Sequence, residues 1–584
     1  MSVAIDMCWH VTLPEDSYEV AREEFAWDVP ADYNAAHDLV GKHEDPEARV
    51  ALFQAYPDGR RETYTFAELD RLANRFAHAL ADLGVERGDR VGVVLPQVPA
   101  NPITHLACWK LGAISMPLSV LFGPDGLGYR LDDAGASVAV VDADTVDTVA
   151  DVRDDCPSLA HVVAVDWADD GHLGDGHSGE DHRGDGHRSD GHSGDGHRGR
   201  DGTRGDGTLA FEELLVEASP SFEAVQTGPD TPATIMYTSG STGPPKGVLH
   251  THDVWVGHCP AFRMYFELDV STAVCWTPAD WAWIGALGDL LFPAWHYGRP
   301  VVGYPMEGFD PGTAFDILEE FRVTAAFLPP TAIRMLMGAD AGEYDLALEA
   351  VCSGGEPLTP EILTWADEEL EGVAMNELYG QTEANLLVCN CRSWFPAQAG
   401  SMGKPVPGHE VAIVDEETGE ELPTGEVGQI AVRHGDDPVI FAEYWNQPEA
   451  TEAARVGEWH LTGDLGRVDE EGYLWFKARD DDLIITSGYR VGPGEVEEAI
   501  LEHPDVEQAG VVGVPDETRG EIIKAFCQPV AGVEGDDALR EEVRSMVREN
   551  LARHEYPREI EFVDELPTTT TGKIRRTDLR EQDD

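Results

Sequence analysis

Basic residues are scarce in this sequence. Its 584 residues include 41 Lys and Arg against 110 Asp and Glu, which gives a formal net charge of −69. Nucleic acids and anionic membranes are polyanions that repel such a chain, so we expect neither as a partner. The acidic residues are spread along the whole chain. Because salt at about 1 M shortens the Debye length to about 3 Å and screens such repulsion, the composition predicts a halophilic protein rather than an ordinary acidic one.

Long apolar runs and close cysteine pairs are also missing. No stretch of 18 apolar residues occurs, which argues against a membrane-spanning helix. The N-terminal residues lack the basic start and apolar core of a signal peptide. Of nine cysteines only Cys389 and Cys391 lie close together, and their spacing is not that of a zinc site. We therefore expect a cytoplasmic protein with reduced, mostly buried thiols.

Alternating helix and strand patterns predict an α/β fold. The segment TFAELDRLANRFAHALADLGV has apolar residues at helical spacing, and Thr65 and Glu68 form a possible capping box at its start. DRVGVVLP and SVAVVD are apolar enough to be buried strands. The patterns predict an N-terminal domain over residues 1–479 and a small α+β domain over residues 480–584, with a boundary near 479–482.

A segment at about residues 169–208 interrupts this pattern. It is almost free of apolar residues, and its histidines recur every five residues, at 172, 177, 182, 187, 192 and 197. A segment that cannot bury a core is predicted to be disordered. A metal-binding tract is the alternative, since His and Asp are ligands, but a period of five matches neither helix nor strand. The fold resumes on both sides, so we interpret the segment as an insertion.

The stretch YTSGSTGPPKGV, residues 237–248, is typical of a phosphate-binding loop. Its Gly, Ser and Thr residues offer backbone N–H groups and hydroxyls, and Lys246 adds a positive charge. The pattern is not that of the P-loop, G-x-x-x-x-G-K-[ST]. Counted from Gly240, the sixth residue is Pro245, and Gly247 follows the lysine. On this loop alone, a plain solvated turn is the alternative.

Six motifs in order resemble the adenylate-forming superfamily, which includes acyl-CoA synthetases, luciferases and the adenylation domains of peptide synthetases. They are YTSGSTGPPKGV, SGGEPL (353–358), ELYGQTEAN (377–385), HLTGDLGRVDEEGYLWFKARDDDLI (460–484), SGYRVGPGEVE (487–497) and PTTTTGKIRR (567–576). Medium-chain acyl-CoA synthetases are most similar, and acetyl-CoA synthetases come next. The resemblance implies a large N-terminal domain of mixed sheets flanked by helices, and a small, mobile C-terminal domain.

This resemblance implies a site for ATP and Mg²⁺. Thr238 and Lys246 would hold the ATP phosphates, and Glu383 would hold the magnesium ion. Asp464 would bind both ribose hydroxyls. Lys573 would neutralise charge as the acyl-adenylate forms. The other residues implied to bind the nucleotide are Ser239, Gly240, Ser241, Thr242, Gly243, Gly354, Gly355, Glu356, Pro357, Tyr379, Gly380, Gln381, Thr382 and Arg479.

The resemblance also implies sites for CoA and for an acyl chain. The residues implied to contact CoA are Gly488, Tyr489 and Arg490. Gly380, Trp281 and Trp283 would line the acyl pocket. Acetyl-CoA synthetases carry tryptophan at the position of Gly380, so glycine there implies room for acids longer than propionate. Alternatively, Gly380 serves only a tight turn, and Trp281 or Trp283 refills the space.

The implied hinge between the two domains departs from the family pattern. The superfamily usually has Gly-Arg-x-Asp-Asp there, whereas this chain has Ala478, Arg479, Asp480, Asp481 and Asp482. Alignment on the arginine makes Asp481 the hinge residue. Three consecutive acidic residues leave Asp480 as the alternative.

The implied activity is AMP-forming acyl-CoA synthesis. A carboxylate and ATP form acyl-AMP and pyrophosphate, and CoA then gives acyl-CoA and AMP. Short- or medium-chain fatty acids are the implied substrates. An acetyl-CoA synthetase, or an adenylation enzyme that loads a carrier-protein thiol, is the alternative. Lys573, Glu383 and Asp464 argue against a non-catalytic nucleotide-binding or metal-buffering protein. The sequence indicates no oligomeric state.

Folding should require salt. We expect the native tryptophan fluorescence and activity to be full at about 1 M KCl or above and to be lost at about 0.1 M, because the charge of −69 repels itself when unscreened. Sucrose of matched osmolality is the control, since it screens no charge. Full stability at low salt, or equal rescue by sucrose, would contradict the prediction of a halophilic protein.

Overall fold

The structure is a computed structural model that describes thirteen segments of the chain: residues 10–165, 207–216, 218–238, 244–356, 358–370, 372–435, 437–479, 482–486, 489–516, 520–530, 532–551, 556–568 and 574–581.

Within these residues the strands are β1 Val50–Ala55, β2 Arg61–Thr65, β3 Arg90–Val94, β4 Ile114–Pro117, β5 Val138–Asp142, β6 His161–Val165, β7 Leu209–Ala210, β8 Pro232–Thr238, β9 Lys246–Thr251, β10 Cys275–Trp276, β11 Val301–Gly303, β12 Ala325–Phe327, β13 Ala350–Gly354, β14 Ala374–Gln381, β15 Ala384–Cys389, β16 Lys404–Pro405, β17 Val411–Val414, β18 Gly428–Arg433, β19 Glu443–Tyr444, β20 Arg455–Val456, β21 Trp459–Val468, β22 Leu474–Arg479, β23 Ile484–Thr486, β24 Tyr489–Val491, β25 Val506–Asp516, β26 Gly520–Pro529 and β27 Glu559–Phe562.

The α-helices of the same residues are α1 Tyr18–Glu24, α2 Phe66–Asp82, α3 Ala100–Leu111, α4 Pro124–Ala134, α5 Val146–Val152, α6 Phe211–Val216, α7 Val254–Gly257, α8 Cys259–Tyr265, α9 Ile284–Ala286, α10 Phe292–His296, α11 Pro311–Glu320, α12 Pro330–Met337, α13 Pro360–Glu369, α14 Pro448–Ala453, α15 Pro493–Leu501, α16 Asp537–Asn550 and α17 Arg576–Glu581. Two π-helical turns, His37–Gly41 and Leu287–Leu291, and two 3₁₀ turns, Arg153–Asp155 and Ala341–Glu343, complete the helical elements of this part of the chain.

Two large sheets form most of the N-terminal region. One has the strand order β16-β15-β14-β13-β12-β10-β11-β1-β2, and the other has the order β19-β9-β8-β4-β3-β5-β6-β7. Each is parallel in its centre and antiparallel at one end or both, as in the pairs β14–β15 and β8–β9. A third sheet contains β17-β18-β21-β20, with β22 paired to β21. These mixed sheets with their helices confirm the predicted α/β class.

Local sequence patterns predicted several elements correctly. The Thr65 hydroxyl accepts a hydrogen bond from the Glu68 backbone N–H, and Glu68 accepts one from the Thr65 backbone N–H, so the capping box at the start of α2 is confirmed. The apolar segments assigned to β3 and β5 are almost wholly buried. All eight described cysteines are buried, and these eight form no disulfide. No described helix is both long and apolar enough to cross a membrane.

The small C-terminal unit contains both helices and strands, in agreement with the predicted α+β class. Its sheet has the order β24-β23-β26-β25, with β27 paired in parallel to β26. The helices α15 and α16 pack on one face around Val543 and Ile500, and Leu579 of α17 lies on the other. The exact domain boundary remains a prediction, since 480 and 481 lie outside the described residues. Most of the predicted disordered insertion also lies outside them, while its flanking strands β6 and β7 pair with each other.

A buried ionic network joins the first π-helical turn to α10. The Asp38 carboxylate accepts hydrogen bonds from Lys42 Nζ at 2.7 Å and from the Tyr33 hydroxyl at 3.0 Å, and it lies 2.8 Å from His296 Nδ1. Asp38 and His296 are each 2% exposed. Burial opposes ionisation, but the hydrogen bonds of His296 and Lys42, together with the Lys42 charge, hold the pKa of Asp38 well below its usual range.

Removing the cation from this network should destabilise the fold. Lys42→Ala leaves the buried Asp38 carboxylate without Lys42, so we expect the free energy of unfolding to fall by roughly 3–5 kcal/mol. Arg322→Ala is the matched control, because Arg322 pairs with Asp345 at 3.0 Å with both side chains mostly exposed. That change should cost less than about 1 kcal/mol. Urea unfolding at high salt measures both, and equal costs would contradict a structural role for the network.

Candidate active site

Strand ends bring the motif residues together between the large sheets and the third sheet. Thr238 ends β8, Lys246 begins β9, and the two residues are paired in the antiparallel register. Gly380 and Gln381 end β14, and Thr382 and Glu383 are the next two residues. Polar side chains at these positions can reach a common ligand because the strand ends leave them at the edge of the sheet.

Asp464 is held by a tyrosine. The Tyr379 hydroxyl donates a hydrogen bond to Asp464 Oδ2 at 2.7 Å, and Asp464 is only 6% exposed. Burial, followed by the negative charge of Asp464, raises the pKa of the Tyr379 phenol well above its usual range, so this hydroxyl remains a donor. Arg479 lies opposite Asp464 in the β21–β22 register. The carboxylate is therefore fixed in one orientation at the end of β14.

Glu383 is held in the same way by a residue that the sequence analysis missed. The Tyr444 hydroxyl donates to Glu383 Oε1 at 2.8 Å. Burial and the charge of Glu383 raise the pKa of Tyr444, which therefore keeps its proton. The Lys246 ammonium lies 4.9 Å from the centre of the Tyr444 ring, within cation–π range. Tyr444 thus connects the phosphate-loop lysine to the candidate magnesium ligand, through the pairing of β19 with β9.

The turn between Gly380 and Glu383 is fixed by further hydrogen bonds. His250 Nε2 lies 2.7 Å from the Thr382 carbonyl oxygen. Burial lowers the pKa of His250 to about 4, so the imidazole is neutral near pH 7 and donates its Nε2 proton to that oxygen. When the Gln381 amide is oriented with its nitrogen toward Glu383, that nitrogen lies 3.3 Å from Glu383 Oε2 and 3.3 Å from the Thr462 carbonyl oxygen. The turn is therefore anchored from two other strands.

The end of β13 forms a glycine-rich wall beside this turn. A Cβ on Gly354 would lie 2.3 Å from Leu378 Cδ1, so β13 and β14 approach there as only glycine permits. Gly355 is exposed and has a φ of +93°, which also favours glycine. The Glu356 carboxylate lies 3.3 Å from the Arg334 guanidinium. Backbone is thus exposed where an adenine ring is expected to lie.

Several predicted site residues lie outside the described residues. They are Ser239, Gly240, Ser241, Thr242, Gly243, Pro357, the hinge candidates Asp480 and Asp481, Gly488 and Lys573. Of the other predicted CoA contacts, Tyr489 and Arg490 form β24, with Tyr489 opposite Thr486. The roles assigned to all of these residues remain predictions.

An ion-pair cluster anchors the segment that follows Lys573. Arg576 donates to both oxygens of Glu497, at 3.1 and 2.6 Å, and to Asp482 at 3.0 Å. Arg580 donates to the other Asp482 oxygen at 3.0 Å. Asp482 is therefore bound to α17 of the small unit.

The three residues predicted to line the acyl pocket occupy different environments. Gly380 and Trp283 are half-buried, whereas Trp281 is fully buried and lies against Gly303 in the core. A Cβ on Gly380 would lie 2.8 Å from Asn385 Oδ1 and 3.1 Å from the Asn385 Cα. The missing side chain of Gly380 therefore accommodates the close approach of β15.

Two protein-family models match the chain. Residues 41–445 match the model of the AMP-binding enzyme, and residues 495–573 match that of the AMP-binding enzyme C-terminal domain. The mitochondrial acyl-coenzyme A synthetase ACSM4 of Rattus norvegicus is 35% identical, with 95% of this chain and 91% of that protein covered. The acetyl-coenzyme A synthetase of Bacillus subtilis is 36% identical, with 94% and 90% covered.

Solved structures agree with these relatives. The anthranilate CoA ligase AuaEII in complex with anthranoyl-AMP matches with a TM-score of 0.80 and 27% identity over 95% of this chain and 98% of that one. A benzoate CoA ligase from Burkholderia xenovorans LB400 matches with a TM-score of 0.76 and 26% identity over 94% and 100%. The predicted superfamily and the predicted class of carboxylate–CoA ligase are confirmed. From the matches along almost its whole length, the chain belongs to the AMP-binding enzyme family of AMP-forming acyl-CoA ligases.

Proposed function

We propose that this protein activates short- or medium-chain carboxylic acids, longer than propionate, as their CoA thioesters. The observation that carries the proposal is the pair of buried carboxylates, Asp464 and Glu383, each fixed by a tyrosine hydroxyl beside the glycine wall of β13. Asp464 would accept hydrogen bonds from both ribose hydroxyls, and Glu383 is linked through Tyr444 to the phosphate-loop strand β9. Half-buried Gly380 follows Tyr379 in β14 and carries no bulky side chain where the acyl pocket is proposed.

In the first step, a carboxylate oxygen attacks the α-phosphorus of ATP. A P–O bond forms to the carboxylate, and the bond to pyrophosphate breaks. Positioning and charge neutralisation supply the catalysis. Thr382 and Thr238 would bind phosphate oxygens, Lys246 would face the β- and γ-phosphates, and Lys573 would offset charge between the carboxylate and the α-phosphate.

Magnesium would be held by Glu383 together with the ATP phosphates. Among the residues that the structure describes, no group of three His, Cys, Asp or Glu side chains could hold a metal ion. A single carboxylate with substrate phosphates is a donor set that Mg²⁺ accepts. When bound, the ion would neutralise phosphate charge. The Tyr444 hydroxyl orients Glu383 through Oε1, and the Gln381 amide faces Oε2.

In the second step, the CoA thiolate attacks the acyl carbonyl. The C–S bond forms, the bond to AMP breaks, and AMP leaves with one oxygen of the original acid. We propose that the small unit rotates near 479–482 between the two steps, with Gly488 lining the path of the pantetheine chain. A carrier-protein thiol would do the same chemistry, so CoA dependence decides between the two acceptors.

The charge pattern adds a proposal on location. A formal charge of −69 supports work in a cytoplasm of high salt, with no nucleic-acid partner. The name of the rat relative places that protein in mitochondria.

Pyrophosphate exchange tests the proposed function. Purified protein at high salt is given ATP, labelled pyrophosphate and a panel of acids from acetate to octanoate, and thioester formation is then measured with CoA or a carrier protein. We expect exchange without CoA, thioester only with CoA, and a higher kcat/KM for butyrate or hexanoate than for acetate. A preference for acetate would instead favour an acetyl-CoA synthetase, and transfer to a carrier protein would favour an adenylation enzyme.

Lys573→Ala should separate the two steps. Because the lysine is proposed to act only while the adenylate forms, we expect pyrophosphate exchange to fall by about 100-fold or more. Thioester formation from supplied acyl-AMP should be retained. Exchange that survives within tenfold of the unchanged protein would remove Lys573 from the proposed mechanism.

Tyr444→Phe should lower kcat/KM for MgATP. The change removes one hydrogen bond to Glu383 while keeping the ring beneath Lys246. A hydrogen bond to a charged group contributes about 1.5–3 kcal/mol, so we expect kcat/KM for MgATP to fall by at least about tenfold. Tyr473→Phe is the matched control, since its hydroxyl bonds the Pro396 carbonyl at 2.7 Å. Equal kinetics for both variants would show that Tyr444 does not position Glu383.

A further inference from the structure

A buried polar cluster lies directly beneath the turn that carries the motif residues. Its members are Asp289 on the π-helical turn, Asn385 on β15 and His258 before α8. The Asn385 amide nitrogen donates to Asp289 Oδ1 at 2.6 Å and to His258 Nε2 at 3.0 Å. Asp289 is 2% exposed, Asn385 is 4% exposed and His258 has no exposed surface. The sequence analysis assigned none of these three residues a role.

The protons of the cluster can be placed from its contacts. His258 Nδ1 lies 2.6 Å from the Val254 carbonyl oxygen, so Nδ1 carries the proton and Nε2 accepts. Burial lowers the pKa of His258 to about 3, and burial raises the pKa of Asp289 well above its usual range. His258 is therefore neutral near pH 7, and the burial of Asp289 favours its protonated form, whose O–H can donate. Both N–H groups of the Asn385 amide are used within the cluster.

Two polar atoms of the cluster remain without partners among the described residues. Asn385 Oδ1 accepts no hydrogen bond there, and it lies 2.8 Å from the position that a Cβ would take on Gly380. Asp289 Oδ2 likewise has no partner, and it lies 3.4 Å from the corresponding position on Gly285. Both glycines are half-buried, whereas the cluster is buried. The unpaired acceptor and the unpaired donor therefore lie beneath two glycines that leave them uncovered.

These two glycines border the proposed acyl pocket. Gly380 follows Tyr379 directly, and Gly285 stands two residues after the half-buried Trp283. The hydrogen bond from Asn385 to Asp289 joins the two sides. A pocket for an unsubstituted alkyl chain would be expected to present apolar atoms, because burying unpaired polar atoms against a chain is unfavourable. This wall presents a carbonyl oxygen and a carboxylic acid instead.

We propose that the acyl pocket selects carboxylic acids that carry a hydroxyl group on the carbon chain, which donates to Asn385 Oδ1 and accepts from Asp289 Oδ2. This inference rests on the proposed function and specifies its substrate class. A hydroxyl satisfies both atoms, since it is a donor and an acceptor. A keto group would leave Asn385 Oδ1 unpaired. An ammonium group has no lone pair, so it could not accept a hydrogen bond from Asp289 Oδ2.

Matched pairs of acids test this proposal on the unchanged protein. Pyrophosphate exchange is measured at high salt with butyrate against 2-, 3- and 4-hydroxybutyrate, and with hexanoate against 6-hydroxyhexanoate. We expect at least one hydroxy acid to exceed its unsubstituted partner by about tenfold or more in kcat/KM. Unsubstituted acids that are used as well as or better than every hydroxy partner would overturn the proposal and leave the proposed function standing. Exchange with no acid of either kind would overturn both.

Variants of Asp289 test whether its carboxyl group binds the substrate hydroxyl. Asp289→Leu removes the donor, so the preference for the hydroxy acid should fall by about tenfold or more, chiefly through KM. Asp289→Asn keeps a donor and an acceptor and should keep the preference. A preference unchanged in Asp289→Leu would show that the cluster only joins β15 to the π-helical turn. If the leucine variant does not fold, Asp289→Asn still decides. Loss of the hydroxy-acid preference in Asp289→Asn would contradict the proposal, as would its absence in the unchanged protein.

Discussion

A tyrosine hydroxyl fixes each of the two buried carboxylates on which the candidate site depends. This chain has 110 acidic residues, and carboxylates are mostly solvated in proteins. Asp464 and Glu383 differ because each is at most 9% exposed and accepts a hydrogen bond of 2.7 or 2.8 Å from a phenol that cannot ionise near neutral pH. A buried environment strengthens these hydrogen bonds, and the hydrogen bonds offset part of the free-energy cost of burying the carboxylates. The site is thus preorganised before any substrate binds.

These contacts explain why the N-terminal sheets must pack together. Tyr444 reaches Glu383 because β19 pairs with β9 at the edge of one large sheet, while β14 and β15 belong to the other. Asp464 comes from the third sheet, and Tyr379 reaches it from β14. The motif residues therefore lie where three sheets meet, and the ion pairs of Arg576 attach α17 to Asp482 and to Glu497 of α15. Catalytic positioning and the packing of the domain depend on the same contacts.

Local patterns predicted the elements, and ordered motifs predicted the family. The capping box of Thr65 and Glu68 was readable because its partners are three residues apart. Tyr444 was missed because it lies 61 residues from Glu383, and the Asn385–Asp289 pair was missed because 96 residues separate its members. No local pattern marks such contacts, which arise only when distant parts of the chain pack together. The predicted role of Trp281 shows the same difficulty, since an aromatic residue near a motif can equally belong to the core.

Isotope transfer measures the central claim most directly, namely that this site joins the acid to the α-phosphate of ATP. The protein is given ATP, CoA and a carboxylic acid labelled with ¹⁸O in both carboxyl oxygens, and the products are analysed by mass spectrometry. The account predicts one ¹⁸O atom in AMP for every acyl-CoA formed, and none in pyrophosphate. Formation of ADP, or acyl-CoA formed without label in AMP, would contradict it.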